Sequence, residues 1–199
     1  MAGERARSWR DTVFKNRGAL LALPAVSLAV FGKPSASSIK LGVPIALAGE
    51  ALRCWAVGYS GVTTRSDEVE APALTTAGPY AHVRNPLYVG NFLTALGFTI
   101  AFTGELSAAQ RALLATVGLG TMLALYAAIV PLEEAYLRDT FGAEFDAYVE
   151  RVPRIVPQLA AAQPQAGTYD PAVIAAAETR TFVTFGAMLV ALALKALSA

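Results

Sequence analysis

The chain has 199 residues, 55% of them hydrophobic and only 16% charged, where a soluble globular domain carries about 25% charged residues. That deficit excludes an ordinary soluble domain and, with several long apolar runs, predicts an all-α polytopic membrane protein of about five transmembrane helices plus short interfacial helices. A net charge of +1 leaves no basic footprint for nucleic acid, and one cysteine (Cys54) and one histidine (His82) leave no intrachain disulfide and no metal site built from those residues.

Residues 1–17 are a basic head, with Arg5, Arg7, Arg10, Lys15 and Arg17 against Glu4 and Asp11. Residues 18–32 form an apolar run that contains Pro24. It is shorter than the roughly 20 residues a full span needs, so it reads as a short kinked span or half of a hairpin. A cleaved signal peptide ending near Ser35-Ala36-Ser37 is the alternative. The apolar segments that follow, and Lys33-Pro34 in between, count against it.

Residues 39–62 are predicted as the second span. Glu50 and Arg53 lie three apart in it, on one helical face. Charges inside a span pair with each other or face a cavity, so the two either orient neighbouring helices or line a reaction chamber. Trp55 and Tyr59 read as interface anchors. A polar loop at 63–77 carries Arg65, Asp67, Glu68 and Glu70. A third span is expected at 86–103 and a fourth at 112–132, ending at Pro131. The short turn between them makes them antiparallel, so Glu133 and Glu134 return to the membrane face that holds Arg84.

Residues 133–152 read as two amphipathic interfacial helices divided by Gly142. Pro153–Pro157 is expected to run extended, and 158–170 is an Ala, Gln, Pro and Gly linker. Residues 171–197, with Glu178 and Arg180 near the start, are long enough to span as a helix. With five spans and the N-terminus inside, ten Lys and Arg fall on the inner side and four on the outer. That asymmetry puts the N-terminus and the Arg84 face in the cytoplasm.

The chemistry concentrates between Gly78 and Gly97. Gly78-Pro79 reverses the chain, and Asn85 can cap the helix that Pro86 begins. A helix N-terminus beside the Arg84 guanidinium suits an anion. With Glu133 and Glu134 nearby, the site suits a ligand that carries a carboxylate and an ammonium or sulfonium. Tyr80, Tyr88 and Tyr148 can stack on a ring or sit over a cation. Gly90 and Gly97 share a helical face open to another helix or a flat ligand. No Gly-x-Ser-x-Gly, phosphate-binding loop or dinucleotide fingerprint is present.

Three motifs in series carry a resemblance. They are Gly78-Pro79-Tyr80-Ala81-His82-Val83-Arg84-Asn85-Pro86-Leu87-Tyr88-Val89-Gly90, then Glu133-Glu134-Ala135-Tyr136-Leu137-Arg138-Asp139-Thr140-Phe141-Gly142, then Tyr148 with Val152-Pro153-Arg154-Ile155-Val156-Pro157. In this order they resemble the isoprenylcysteine carboxyl methyltransferase (ICMT) family, grouped with the phospholipid methyltransferases. Glu50–Trp55 also looks like the second span of bacterial members. The resemblance covers 78–157 and implies an integral membrane enzyme with its core there, within one membrane domain expected over 1–199. It also implies S-adenosylmethionine as cofactor, S-adenosylhomocysteine as product, and a bacterial or archaeal cytoplasmic membrane as the setting.

Carried over residue by residue, the implied cofactor-binding positions are Tyr80, His82, Val83, Arg84, Asn85, Pro86, Tyr88, Gly90 and Glu134. Glu133, Arg151 and Arg154 are the implied catalytic positions, at the pocket or the substrate mouth. Many members have Arg-His-Pro where this chain has Arg84-Asn85-Pro86; an amide donates a hydrogen bond but carries no proton. The acceptor implied is a lipophilic small molecule or lipid with a carboxylate, thiol or amine. The alternative is a non-catalytic lipid-binding or scaffold protein on the same framework.

Overall fold

A computed structural model of the chain describes residues 17–61 and 73–198. The basic head before Arg17 and the loop charges Arg65, Asp67, Glu68 and Glu70 lie outside them. All regular structure in the described residues is helical: α1 (Arg17–Phe31), α2 (Ala36–Ser60), a 3₁₀ turn (Gly78–Ala81), α3 (Pro86–Phe102), α4 (Ala108–Phe141), α5 (Ala143–Arg151) and α6 (Ala172–Ser198). Helices α2, α4 and α6 are long and apolar enough to cross a membrane, and α1 and α3 are shorter apolar helices. Leu23, Val30, Leu47, Leu123, Val183 and Leu194 are exposed on their outer faces. Such a surface suits lipid and is rare on a monomer in water. The chain is a polytopic membrane protein.

Local sequence sets the helix starts. Ser35 and Ser38 form a reciprocal capping box at α2, and Ser107 and Gln110 form one at α4, each satisfying two otherwise orphaned backbone donors. Pro86 opens α3 at the position where a missing N–H costs nothing. Gly142, at φ 52°, breaks α4 from α5, a conformation that disfavours any residue with a Cβ.

The expected end of the fourth span at Pro131 is not observed. Helix α4 runs through Pro131 to Phe141, so Glu133 and Glu134 belong to it and not to a separate interfacial helix. Pro24 and Pro44 likewise sit inside α1 and α2. In apolar surroundings no water competes for backbone groups, and neighbouring helices and local adjustments hold a proline-bearing helix together. Helix α4 also contains a π turn at Thr116–Gly120. The compositional linker also differs from expectation, because its backbone is engaged. Thr76 and Ala77 N–H donate to the Ala166 carbonyl at 2.8 and 3.0 Å, and Asp170 N–H to that of Gly58 at 2.7 Å. Tyr169 packs on Tyr59 with ring centroids 5.3 Å apart.

The closest packing is between α2 and α3. A Cβ on Gly97 would lie 2.3 Å from the Ala46 nitrogen and 2.5 Å from the Gly42 oxygen. One on Gly49 would lie 2.5 Å from the Thr94 nitrogen and 2.6 Å from the Gly90 oxygen. These small residues let the two backbones touch, which is how helices gain dispersion contacts where no hydrophobic effect drives them together. Phe98, Phe102, Phe185 and Leu28 fill the space beside the seam. Gly97→Leu should force the helices apart and lower the detergent unfolding temperature by several degrees, as overpacking of about 1–3 kcal/mol implies. Thermal unfolding read by circular dichroism checks it, and Gly186→Ala, which meets open space, is the control.

Candidate active site

The polar end of the bundle is assembled by α3, α4, α5 and the segment after α5. Arg84 precedes α3, and Glu134 faces it from α4. Arg84 Nε donates to Glu134 Oε1 at 3.1 Å, and Nη2 lies 3.1 Å from the same oxygen. The Arg84 Nη1 group donates to the carbonyls of Val149 (3.3 Å) and Val152. Both side chains are almost fully buried. The other carboxylate oxygen of Glu134 accepts from Arg154 Nη2. Glu134 therefore sits between two guanidiniums from opposite sides.

Asn85 does not cap α3 with its side chain as expected. Its backbone carbonyl accepts from Tyr88 and Val89 N–H, while its amide donates to Glu134 Oε1 at 3.4 Å and to the Arg154 carbonyl at 3.1 Å. The free side chain is drawn to the carboxylate because a charged acceptor forms the stronger bond. Glu133, about 100° around the helix from Glu134, accepts from the Tyr88 hydroxyl at 2.7 Å. Tyr88 packs against Tyr126 of α4 with centroids 4.4 Å apart.

Other named positions hold this end in place. Tyr148 donates its hydroxyl to the Tyr80 carbonyl at 2.7 Å. Burial pushes the Tyr80 phenol up to about 12 and raises that of Tyr148 above its ordinary value, so both remain protonated at neutral pH. His82 Nδ1 lies 2.9 Å from the Gln158 carbonyl; a carbonyl only accepts, so Nδ1 carries the proton. Val83 and Pro86 are fully buried packing positions. Gly90 faces α2, where the Gly49 oxygen and the Arg53 side chain occupy the place of its Cβ. Arg151 stands apart from the Glu134 cluster. It donates to the carbonyls of Ala147 and Gln163 and lines an open hollow of about 360 Å³ with Gln158.

A second polar cluster lies within the bundle. Arg53 donates to both carboxylate oxygens of Glu178 at 2.8 Å and also to the Asn91 side-chain oxygen, and its Nε is 3.9 Å from Glu50. It ties α2 to α6 and α3. Glu50, Arg53 and Asn91 also line a cavity of about 190 Å³ whose other walls are mainly apolar, among them Leu28, Phe98 and Met188. The helix-orienting role expected of the Glu50 and Arg53 pair is present, and the pair also borders this cavity. The sequence reading missed the roles of Asn91 and Glu178; a charge in an apolar helix was the signal for Glu178. Among the described residues no group of three or more His, Cys, Asp or Glu is arranged to hold a metal.

Apolar helices with a charged cluster at one end of the bundle define a class: integral membrane proteins with a polar site. Residues 38–144 match the phospholipid methyltransferase family, and the chain belongs to that family. It is 29% identical over 122 residues to protein-S-isoprenylcysteine O-methyltransferase B of Arabidopsis thaliana, covering 58% of this chain and 57% of that protein. To protein-S-isoprenylcysteine O-methyltransferase of Schizosaccharomyces pombe it is 33% identical over 84 residues, 42% of this chain and 33% of that one. To the cobalt-zinc-cadmium resistance protein CzcN of Cupriavidus metallidurans it is 35% identical over 120 residues, 60% of this chain and 47% of that one. The chain spans about half the length of the curated relatives it matches. No solved structure matches it.

Tyr148→Phe should cost about 0.5–1.5 kcal/mol of stability through the lost bond to Tyr80. Detergent unfolding would show a lower midpoint, and an unchanged midpoint would remove that bond from the frame of the site.

Proposed function

We propose that this chain is a membrane methyltransferase that uses S-adenosylmethionine to methylate a lipophilic acceptor at the cytoplasmic interface. The observation that carries it is the cluster of Arg84, Glu134, Asn85 and Arg154 at the mouth of α3, built on the buried Arg84–Glu134 pair, in a chain of this family. Its donor set fits the cofactor: guanidiniums for a carboxylate, carboxylates for an ammonium or sulfonium, and the Tyr88 and Tyr126 rings for a positive or planar group. When bound, S-adenosylmethionine supplies a methyl group already activated on a positive sulfur.

The residues of the chain then have three tasks. Arg84, with 9% of its side chain exposed, is held by two carbonyls and Glu134 and acts as a fixed charge. Arg154, at 51%, is the donor free to turn toward a ligand carboxylate. Glu133 and Glu134 present carboxylate oxygens to the ammonium end. The helices exclude water and hold the acceptor in line, which supplies much of the rate in a transfer whose leaving group is already activated. A carboxylate or thiolate acceptor needs no base; for an amine, Glu133 Oε1 takes the proton that must leave. The 190 Å³ cavity beside Asn91, one helical turn from Tyr88, receives the apolar part of the acceptor.

Calorimetric titration of detergent-solubilised protein with S-adenosylhomocysteine tests the reading. One saturable site is expected, abolished by Arg84→Ala and weakened at least tenfold by Glu134→Ala in a folded sample. Asn85→His should keep the site, because a neutral imidazole also donates to Glu134. No binding to folded wild-type protein would overturn the proposal.

A further inference from the structure

The segment between α5 and α6 carries a surface that the cofactor site does not explain. Ile155, Val156 and Leu159 are 44%, 76% and 101% exposed. Large aliphatic side chains in a loop normally turn inward, and these are prevented from doing so. On one side of them, Arg84 N–H donates to the Pro153 carbonyl at 2.9 Å and the Asn85 amide to that of Arg154 at 3.1 Å. On the other, Ala162 N–H donates to the Ala81 carbonyl at 2.9 Å, and within the stretch Gln158 N–H donates to the His82 carbonyl at 3.0 Å. Pro153 and Pro157 stiffen what lies between. A five-residue bow pinned at both ends thus presents three apolar side chains outward, next to the half-exposed guanidinium of Arg154.

We infer that this bow, Ile155–Leu159, inserts into the headgroup layer of the surrounding bilayer. Its occupant is lipid, on two grounds. The bow hangs from the residues that open α3, an apolar helix, so it lies at the level where the bundle leaves the hydrocarbon. An exposed aliphatic cluster beside a cation is also the composition that binds an anionic lipid surface. The insertion holds the Arg154 side of the cofactor site against the bilayer, so that an acceptor dissolved in lipid meets the site without crossing water. This consequence rests on the proposed methyl transfer; the insertion itself does not.

The test uses full-length protein in vesicles, with Trp9 and Trp55 replaced by phenylalanine. Leu159→Trp provides the probe and Glu150→Trp, on the exposed part of α5, the reference. Phosphatidylcholine brominated at acyl carbons 6 and 7 should quench the probe at position 159 at least twofold more than the reference, and aqueous iodide should do the reverse. Quenching of position 159 by iodide and not by bromolipid would overturn the proposal. The double variant Val156→Asp, Leu159→Asp should leave S-adenosylhomocysteine affinity within twofold while lowering methyl transfer to a bilayer-borne acceptor at least fivefold. Depth is read without any activity, so a failure of the methyltransferase reading and a failure of insertion give different results.

Discussion

Where a Cβ on Gly97 would go, Ala46 of α2 already stands, its nitrogen 2.3 Å from that position. The contact recurs two turns away, where Gly49 meets Gly90 and Thr94. In lipid there is no hydrophobic gain from pairing two apolar helices, so close backbone contact supplies the attraction. The Arg53 cluster depends on it. Only at this separation does Arg53 reach Asn91 on α3 while also holding Glu178 on α6. With α3 fixed, Arg84 and Asn85 are aimed at the end of α4.

The two guanidiniums on Glu134 differ in a way that magnitudes make plain. Removing one partner of a buried pair costs about 3–5 kcal/mol, because a charge is stranded in an apolar setting. An exposed pair is worth about 0–1 kcal/mol. Arg84 belongs to the first case; Arg154 stands half in solvent against the same buried carboxylate, between the two cases. One cation is therefore part of the framework, and the other is the more loosely enclosed of the two. The bow at Ile155–Leu159 continues the same chain segment from Arg154, so the half-exposed cation and the apolar contact sit side by side.

Much of this was legible in the residues. Pro86 announced the start of α3, and Gly142 the break between α4 and α5, because each has a backbone conformation few others share. The short antiparallel turn by itself puts Glu134 on the side of Arg84. Pro131 misled, since a rule learned in water treats proline as a stop, whereas α4 continues through it. Composition also described 158–170 as a linker, although Ala166 and Asp170 bond back to segments far away in sequence. Arg53 and Glu178 are 125 positions apart, and no local pattern could pair them. Asn85 looks like a helix cap in sequence, which shows the neighbouring backbone and not the Glu134 carboxylate that competes for its amide.

The most direct test of the central claim is transfer of a labelled methyl group. Membranes containing wild-type protein are incubated with S-adenosylmethionine labelled in its methyl group and extracted into organic solvent. Label in the organic phase, at least tenfold above membranes containing the Arg84→Ala variant at equal folded protein, is the result the account predicts. Equal label from the two proteins would contradict it, because the site built around Arg84 and Glu134 would then have no part in the chemistry.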